Sequence, residues 1–274
     1  MAFLGRHLSI SGSIANSVSA AEELGCTAMQ IFTRNPRGWA TNPVSDSDAK
    51  AFGDALSTSS IKKTISHLPY LPNFATPKES LYELSKRSLD DEAERCGKLG
   101  IDYIVMHLGS HMGKGREFGV NRVSSAVSEA AKMLKGPMIL LENQSAQLNS
   151  IGSTTEELAE IRDRIGSKRV GFCLDTCHAF AAGYDIRKEE VVDTIFKSLG
   201  KENVPVVHLN DAKFPINSHR DRHENIGFGE IGRKGFDALL HSADISGKTL
   251  ILETPVGSNI SPKEEISLVR KLME

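Results

Sequence analysis

Short apolar runs rich in β-branched and aromatic residues recur along the chain. Each is followed by a longer stretch in which apolar positions return every three to four residues. The first pattern predicts a buried strand and the second an amphipathic helix. Strands are expected at residues 3–10, 28–33, 63–68, 102–108, 138–142, 170–175, 205–210 and 249–253. Helices are expected near 13–25, 45–60, 77–99, 119–135, 153–165, 187–200, 233–242 and 261–273. Several helix starts are readable. Thr76-Pro77-Lys78-Glu79 and Ser261-Pro262-Lys263-Glu264 combine a capping side chain, a first-position proline and a glutamate at the third position. Ser153-Thr154-Thr155-Glu156 makes the same box without proline. Gly25, Gly100, Gly136 and Gly166 stand where helices should stop.

Strands that alternate with helices throughout predict a parallel α/β architecture. The 274 residues suit a closed (β/α)8 TIM barrel, which typically needs about 250. An open doubly wound sheet would show a G-x-G-x-x-G turn after its first strand, and none is present. With no linker or low-complexity tract, a single barrel domain over residues 1–274 is expected. Hydrophobic residues at 39% and charged residues at 25% supply one ordinary core and exclude disordered, coiled-coil and collagen-like classes. The formal net charge is −2, from 33 Lys+Arg against 35 Asp+Glu, so nucleic acid is not held by bulk charge alone. Cys26, Cys96, Cys173 and Cys177 are too sparse for a disulfide framework and read as reduced thiols. Met1 to His7 lacks the apolar core of a secretory signal. No apolar run reaches the ~18–20 residues of a membrane span, so a cytoplasmic location and no membrane partner are expected.

The residues that end these strands change the picture. His67 ends the third, His107 the fourth, Glu142 the fifth, Asp175 the sixth with His178 just beyond, His208 the seventh and Glu253 the eighth. The stretch after the seventh adds Asp221-Arg222-His223. In a parallel barrel all strand C-termini lie on one face, where active sites are built. Five imidazoles and four carboxylates are therefore expected to converge at one mouth. Carboxylates gathered there without positive charge between them would raise one another's pKa values. Divalent cations remove that cost, and His with Asp/Glu is the donor mix of zinc or manganese. A catalytic zinc takes about three protein ligands, so nine candidates suggest about three ions, some bridged by a shared carboxylate. Such sites generate a hydroxide nucleophile and clamp the attacking and leaving oxygens of a phosphoester. The residues alone thus point to a metallohydrolase of phosphate esters.

Blander readings stand beside this one. A single histidine at a strand end is more often a hydrogen-bonded core or surface group, and only the recurrence of the pattern lifts the set above that. His7 and His111, near the same mouth, suit either orienting or structural roles. His219 and His241 are expected in solvent, Trp39 packed under its loop, and Cys173 and Cys177 structural. The basic residues of 86–98 alternate with acids at helical spacing, as on a solvated helix face.

The tract Asp175-Thr176-Cys177-His178-Ala179-Phe180-Ala181-Ala182-Gly183-Tyr184-Asp185 resembles the endonuclease IV family of apurinic/apyrimidinic (AP) DNA repair endonucleases. The likeness extends to Phe32-Thr33-Arg34-Asn35-Pro36-Arg37-Gly38-Trp39, His107-Leu108-Gly109-Ser110-His111 and Leu141-Glu142-Asn143. It continues through Val207-His208-Leu209-Asn210-Asp211-Ala212-Lys213, Asp221-Arg222-His223-Glu224-Asn225-Ile226-Gly227 and Leu252-Glu253-Thr254, in family order over essentially the whole chain. The resemblance implies three zinc ions, with manganese an alternative at one position. It also implies hydrolysis of the phosphodiester 5′ to an abasic site in duplex DNA, leaving a 3′-hydroxyl and a 5′-deoxyribose phosphate. On that likeness His67, His107 and Glu142 would hold one ion. Glu142 would bridge to a second, held with Asp175, His208 and Glu253, while His178, Asp221 and His223 would hold the third. Glu142 and Glu253 would be the catalytic carboxylates that position a metal-bridging hydroxide. Arg37, Tyr70 and Leu71 match the side chains that enter DNA when the family flips the abasic nucleotide out. A face that must accept duplex DNA favours a monomer. Leu68-Pro69 and the 143–153 loop depart from the family pattern and leave the metal-type residues untouched.

Two other classes remain to be weighed. Sugar isomerases and epimerases on such barrels also carry Glu, Asp and His at strand ends, but they need about four ligands, so His178 with Asp221 and His223 speaks against them. A non-catalytic binder of damaged DNA would have no use for a nucleophile-generating site. The resemblance also revises the meaning of the charge. Three divalent ions would take the formal charge from −2 to about −2 + 6 = +4, concentrated at the mouth.

Overall fold

The computed structural model describes residues 2–274. Eight strands close into a parallel barrel: β1 (Phe3–Leu8), β2 (Ala28–Ile31), β3 (Lys63–His67), β4 (Tyr103–Met106), β5 (Met138–Glu142), β6 (Val170–Asp175), β7 (Val206–His208) and, last in the chain, β10 (Thr249–Leu252). The neighbours run β1-β10-β7-β6-β5-β4-β3-β2, and β2 pairs back onto β1. Between β7 and β10 lies a short antiparallel ribbon of β8 (Asp211–Ala212) and β9 (His223–Glu224). At Gly5 an added Cβ would lie 1.9 Å from the Ala28 carbonyl oxygen, so the approach of β1 to β2 requires glycine there.

The helices are α1 (Asn16–Glu23), α2 (Asp46–Thr58), α3 (Glu79–Leu99), α4 (Arg116–Met133), α5 (Thr155–Ile165), α6 (Thr176–Ala181), α7 (Glu189–Leu199), α8 (Gly232–His241) and α9 (Pro262–Leu272). In α7 the buried residues Val192, Ile195, Phe196 and Leu199 fall at the spacing of one helical face. Gly100 and Gly166 close α3 and α5 in the left-handed conformation. Ser261 forms the expected reciprocal box with Glu264. The other two starts differ from expectation. At α3 the hydroxyl of Thr76 accepts from Lys78 N, making a turn that delays the helix to Glu79. At α5 the cap is Thr154, one residue late, and it accepts from Glu157 N. The cause is Glu157, whose carboxylate takes the backbone N–H groups of Gly152 and Ser153 and so sets the third helical position. The short helix α6 was not expected from periodicity; it begins where Asp175 caps His178 N at 2.7 Å.

Strand residues alternate between two cores, as the two-residue period requires. Ala28, Ile65, Val105, Leu140, Cys173, Val206 and Ile251 meet inside the barrel, with Phe3, Tyr103 and Met138 packed against them. Their chain neighbours Met29, Ile104, Leu141, Phe172, Leu174, Val207 and Leu252 point outward into the larger core under the helices. All four cysteines are buried and free.

Candidate metal centre

Two residues beyond each member of the inner apolar layer, the same alternation returns a side chain to the barrel axis. Those positions are Gln30, His67, His107, Glu142, Asp175, His208 and Glu253, and His7 stands in the same place on β1. Polar and ionisable groups thus form one layer at the C-terminal mouth, on top of a closed apolar floor. The floor denies water from below, so the layer is solvated only through its open side.

The central group is Glu142, with no exposed surface. Its Oε2 lies 2.9 Å from His107 Nε2 and 3.2 Å from His67 Nε2, and its Oε1 lies 2.9 Å from His208 Nδ1. His208 Nδ1 also faces Glu253 Oε2 at 3.3 Å. The remaining three members come from outside the barrel strands. His178 sits on α6, and its Nε2 is 3.2 Å from Asp221 Oδ1. His223 on β9 points its Nε2 at Asp221 Oδ1, 3.4 Å away, and at Asp175 Oδ2, 3.6 Å away. Donor atoms within 4.8 Å of one another fall into the groups His67–His107–Glu142, Glu142–Asp175–His208–Glu253 and His178–Asp221–His223. Overlapping sets also join His67 with His208 and Glu253, and Asp175 with Cys177 and His223.

Outer partners orient these groups. His67 Nδ1 donates to the Leu68 carbonyl at 2.7 Å, His178 Nδ1 to the Asn143 carbonyl at 3.0 Å and His223 Nδ1 to the Glu253 carbonyl at 3.3 Å. Each imidazole is thereby left with its other nitrogen toward the cluster. Asn210 donates to Asp175 Oδ2 at 2.7 Å and accepts from Glu253 N at 2.8 Å. His223 pairs with Ala212 in the β8–β9 ribbon, and the backbone that follows is fastened to Asp211, whose carboxylate accepts from Gly227, Gly229 and Ile231 N at 2.9, 3.0 and 3.0 Å.

The electrostatics match this crowding. Burial would raise the Glu142 carboxyl, but His107 and His208 hold it well below the usual range. Burial likewise opposes charge on His178, yet Asp175 and Asp221 hold it well above its ordinary value. Asp221, partly buried, is held at about 2 by His178 and His223. Glu142 and Asp221 are therefore anionic. His223 Nε2 is buried with no hydrogen-bond partner among the described residues while aimed between two carboxylates. An imidazole nitrogen so placed suits a shared cation, and the donor set as a whole could hold divalent ions such as zinc or manganese. Burial pushes the Cys177 thiol up, so Cys177 stands by the cluster as a thiol.

A cavity of about 380 Å³ opens over the cluster, bounded also by Tyr70, Arg222 and Pro255. Tyr70 is 64% exposed, with its ring centroid 5.8 Å from that of His67 and 6.0 Å from that of His107; Leu71 beside it is 37% exposed. Arg37 is exposed on the segment after β2, and Trp39 is half-buried. That segment is fastened from beneath by buried Arg34, whose Nε lies 3.4 Å from Glu92 Oε2 on α3. A second cavity, of about 500 Å³, adjoins the first through Asp221 and Arg222, and Gln147, Leu148, Phe214 and Arg220 line it. His111 serves structure, since its Nδ1 accepts from Gly115 N at 3.1 Å, and His219 and His241 lie exposed. Sequence reasoning missed Gln30, Asn143 and Asn210. For Gln30 a signal existed: it stands two residues beyond Ala28, as His67 stands beyond Ile65.

A family model described as xylose isomerase-like TIM barrel matches residues 18–273. The "Probable endonuclease 4" of Nitrosopumilus maritimus (strain SCM1) is 45% identical over 278 residues, covering 99% of each chain. That of Methanoculleus marisnigri is 44% identical over 279 residues, again covering 99% of each. Among solved structures, endonuclease IV from Thermus thermophilus superposes with a TM-score of 0.86 at 34% identity, covering 99% of this chain and 97% of that one. A D-tagatose 3-epimerase-like protein superposes at 0.74 with 20% identity, covering 98% and 97%, a likeness of fold alone.

Proposed function

Because this chain belongs to the endonuclease IV family, we propose that it is a DNA repair hydrolase that cuts the phosphodiester 5′ to abasic sites in duplex DNA, leaving a 3′-hydroxyl and a 5′-deoxyribose phosphate. The observation that carries this reading is the cluster of nine ligand-type side chains, six of which line one open cavity. His67, His107 and Glu142 would hold one divalent ion, Glu142 with Asp175, His208 and Glu253 a second, and His178, Asp221 and His223 a third. Zinc suits all three, with manganese an alternative at one position. Such ions would supply Lewis acidity toward the phosphate oxygens and neutralise charge in an in-line displacement.

The protein's own groups have distinct tasks in this reading. Glu142 is buried among imidazoles and organises the donor set. Glu253 lines the cavity, retains 14% side-chain exposure and belongs to the donor set built on Glu142, so it is placed to orient the attacking water and accept its proton. Arg222 borders both cavities and offers guanidinium donors to the DNA backbone. Tyr70 and Leu71 stand exposed beside the cluster, where an aromatic and an aliphatic wedge could fill the gap left by an extruded nucleotide. Arg37 would contact the duplex from the neighbouring segment. A mouth left open for duplex DNA favours a monomer working in the cytoplasm, and no helix among the described residues is long and apolar enough to cross a membrane.

The test is a duplex carrying one abasic site, incubated with zinc-loaded protein with and without chelator. A nick 5′ to the lesion that chelator abolishes is expected. An intact strand, or a nick indifferent to chelator, would refute the assignment.

A further inference from the structure

Gln30 is fully buried and shares the mouth layer with the metal-type residues. All three of its side-chain hydrogen bonds go to that layer. Its Oε1 accepts from His208 Nε2 at 2.8 Å, and its Nε2 donates to Glu253 Oε1 at 2.6 Å and to His7 Nδ1 at 3.0 Å. The reverse orientation of the amide would set its oxygen against Glu253 Oε1, two acceptors in contact, so the carboxylate decides which end is which.

Each bond constrains a partner. With Oε1 accepting, His208 keeps a proton on Nε2, and Nδ1 is the nitrogen left facing Glu142 Oε1 at 2.9 Å and Glu253 Oε2 at 3.3 Å. Glu253 has Oε1 tied to the amide, which turns Oε2 toward His208. His7 receives an N–H at Nδ1, so that nitrogen is an acceptor, and its 3.6 Å separation from Glu253 Oε1 is spanned by the amide. A glutamine does this while adding no charge to a layer that already contains Glu142, Asp175 and Glu253.

We propose that Gln30 is a positioning residue of the metal centre: one buried amide fixes the ring-proton placement of His208 and His7 and the orientation of Glu253, and so shapes the Glu142–Asp175–His208–Glu253 donor set. The inference rests on the reading of this cluster as a metal centre. Outer partners of metal ligands typically influence affinity or activity by about 10–100-fold, and Gln30 acts on two ligands of one set.

The test compares wild type with Gln30→Leu, which removes every bond, and Gln30→Glu, which keeps an acceptor for His208 but sets a carboxylate against Glu253. Zinc affinity is measured by competition with a chromophoric chelator, and the separate sites are followed by cadmium-113 NMR of the cadmium-substituted protein. Cleavage of a duplex with one abasic site separates kcat from KM. Both variants should weaken one ion by about 10–100-fold. They should shift the cadmium resonances of sites containing His208 or Glu253, leave the resonance of the His178–Asp221–His223 site in place, and lower kcat with KM unchanged. If the leucine variant does not fold, the nearly isosteric glutamate variant carries the same expectation. Wild-type zinc affinity and cadmium spectra in both variants would overturn the proposal, as would equal loss of every ion together with the melting transition. Failure of the wild type itself to take up zinc would instead sink the metal-centre reading, an outcome visible before any variant is made.

Discussion

Glu142→Gln is the substitution that most directly tests how the mouth layer divides its ligands. The change keeps the volume of a side chain with no exposed surface, while removing its charge and replacing one ligating oxygen by an amide NH2. Glu142 belongs to the His67–His107–Glu142 and Glu142–Asp175–His208–Glu253 groups and is absent from His178–Asp221–His223. The variant should therefore lose two ions and keep one, whereas Asp221→Asn should lose one and keep two. Native mass spectrometry after desalting counts them. Heat denaturation supplies a second measure. Free metal at a hundred times its dissociation constant stabilises the folded state by about 2.7 kcal/mol per ion, and for a chain near this size about 1 kcal/mol moves Tm by about 2–4 °C. Each ion is then worth about 5–11 °C. Chelator should lower the wild-type Tm by about 15–30 °C but that of Glu142→Gln by only about 5–11 °C. Retention of all ions by Glu142→Gln, or loss of all of them together, would refute the division of ligands proposed above.

Three further expectations follow from the same geometry. Glu253→Gln should keep its affinity for duplex containing an abasic site while cleavage falls by orders of magnitude; normal turnover would remove Glu253 from its assigned role. Tyr70→Ala and Leu71→Ala alter exposed side chains and should leave metal content unchanged while weakening binding to abasic duplex, by about 1–3 kcal/mol where the aromatic ring of Tyr70 is lost, and equal affinity in a gel-shift titration would contradict the wedge assignment. In the metal-free protein burial opposes charge on His178, but Asp175 and Asp221 hold its pKa well above the ordinary value, so its ring is protonated at pH 7. Metal must displace that proton, so loading should release protons at pH 7 and affinity should fall as pH falls; calorimetry in buffers of different ionisation enthalpy measures the release, and none detected would mean the ring is already neutral.

The barrel and much of its mouth were legible in advance because both follow from local periods. A two-residue repeat sends Ile65 inward and His67 after it, and the same count works for Val105 and His107, Leu140 and Glu142, and Ile251 and Glu253. Helix starts were legible only where the capping atoms compete with nothing else. Ser261 and Glu264 close their box, whereas Glu157 is drawn to Gly152 and Ser153 and moves the start of α5. The role of Gln30 was hidden for a different reason. Glutamine carries no charge to draw attention, and its three partners lie on β1, β7 and at the end of β10, far from it in sequence.

By itself the sequence determined the eight barrel strands, the helices that follow them, and which strand side chains point down the axis, since covalent geometry sets those periods within a few residues, whereas α6 and the β8–β9 ribbon carry no such period. Family likeness added the lesion chemistry. Only the closed ring decided which strand ends meet, because the stagger between parallel strands brings His67 and His107 to one oxygen of Glu142 and His208 to the other. Only the folded loop decided where Asp221 and His223 arrive. His223 is set there by the pairing of β9 with β8, and Asp211 holds the Gly227–Ile231 backbone that follows, a long-range arrangement that no local period encodes.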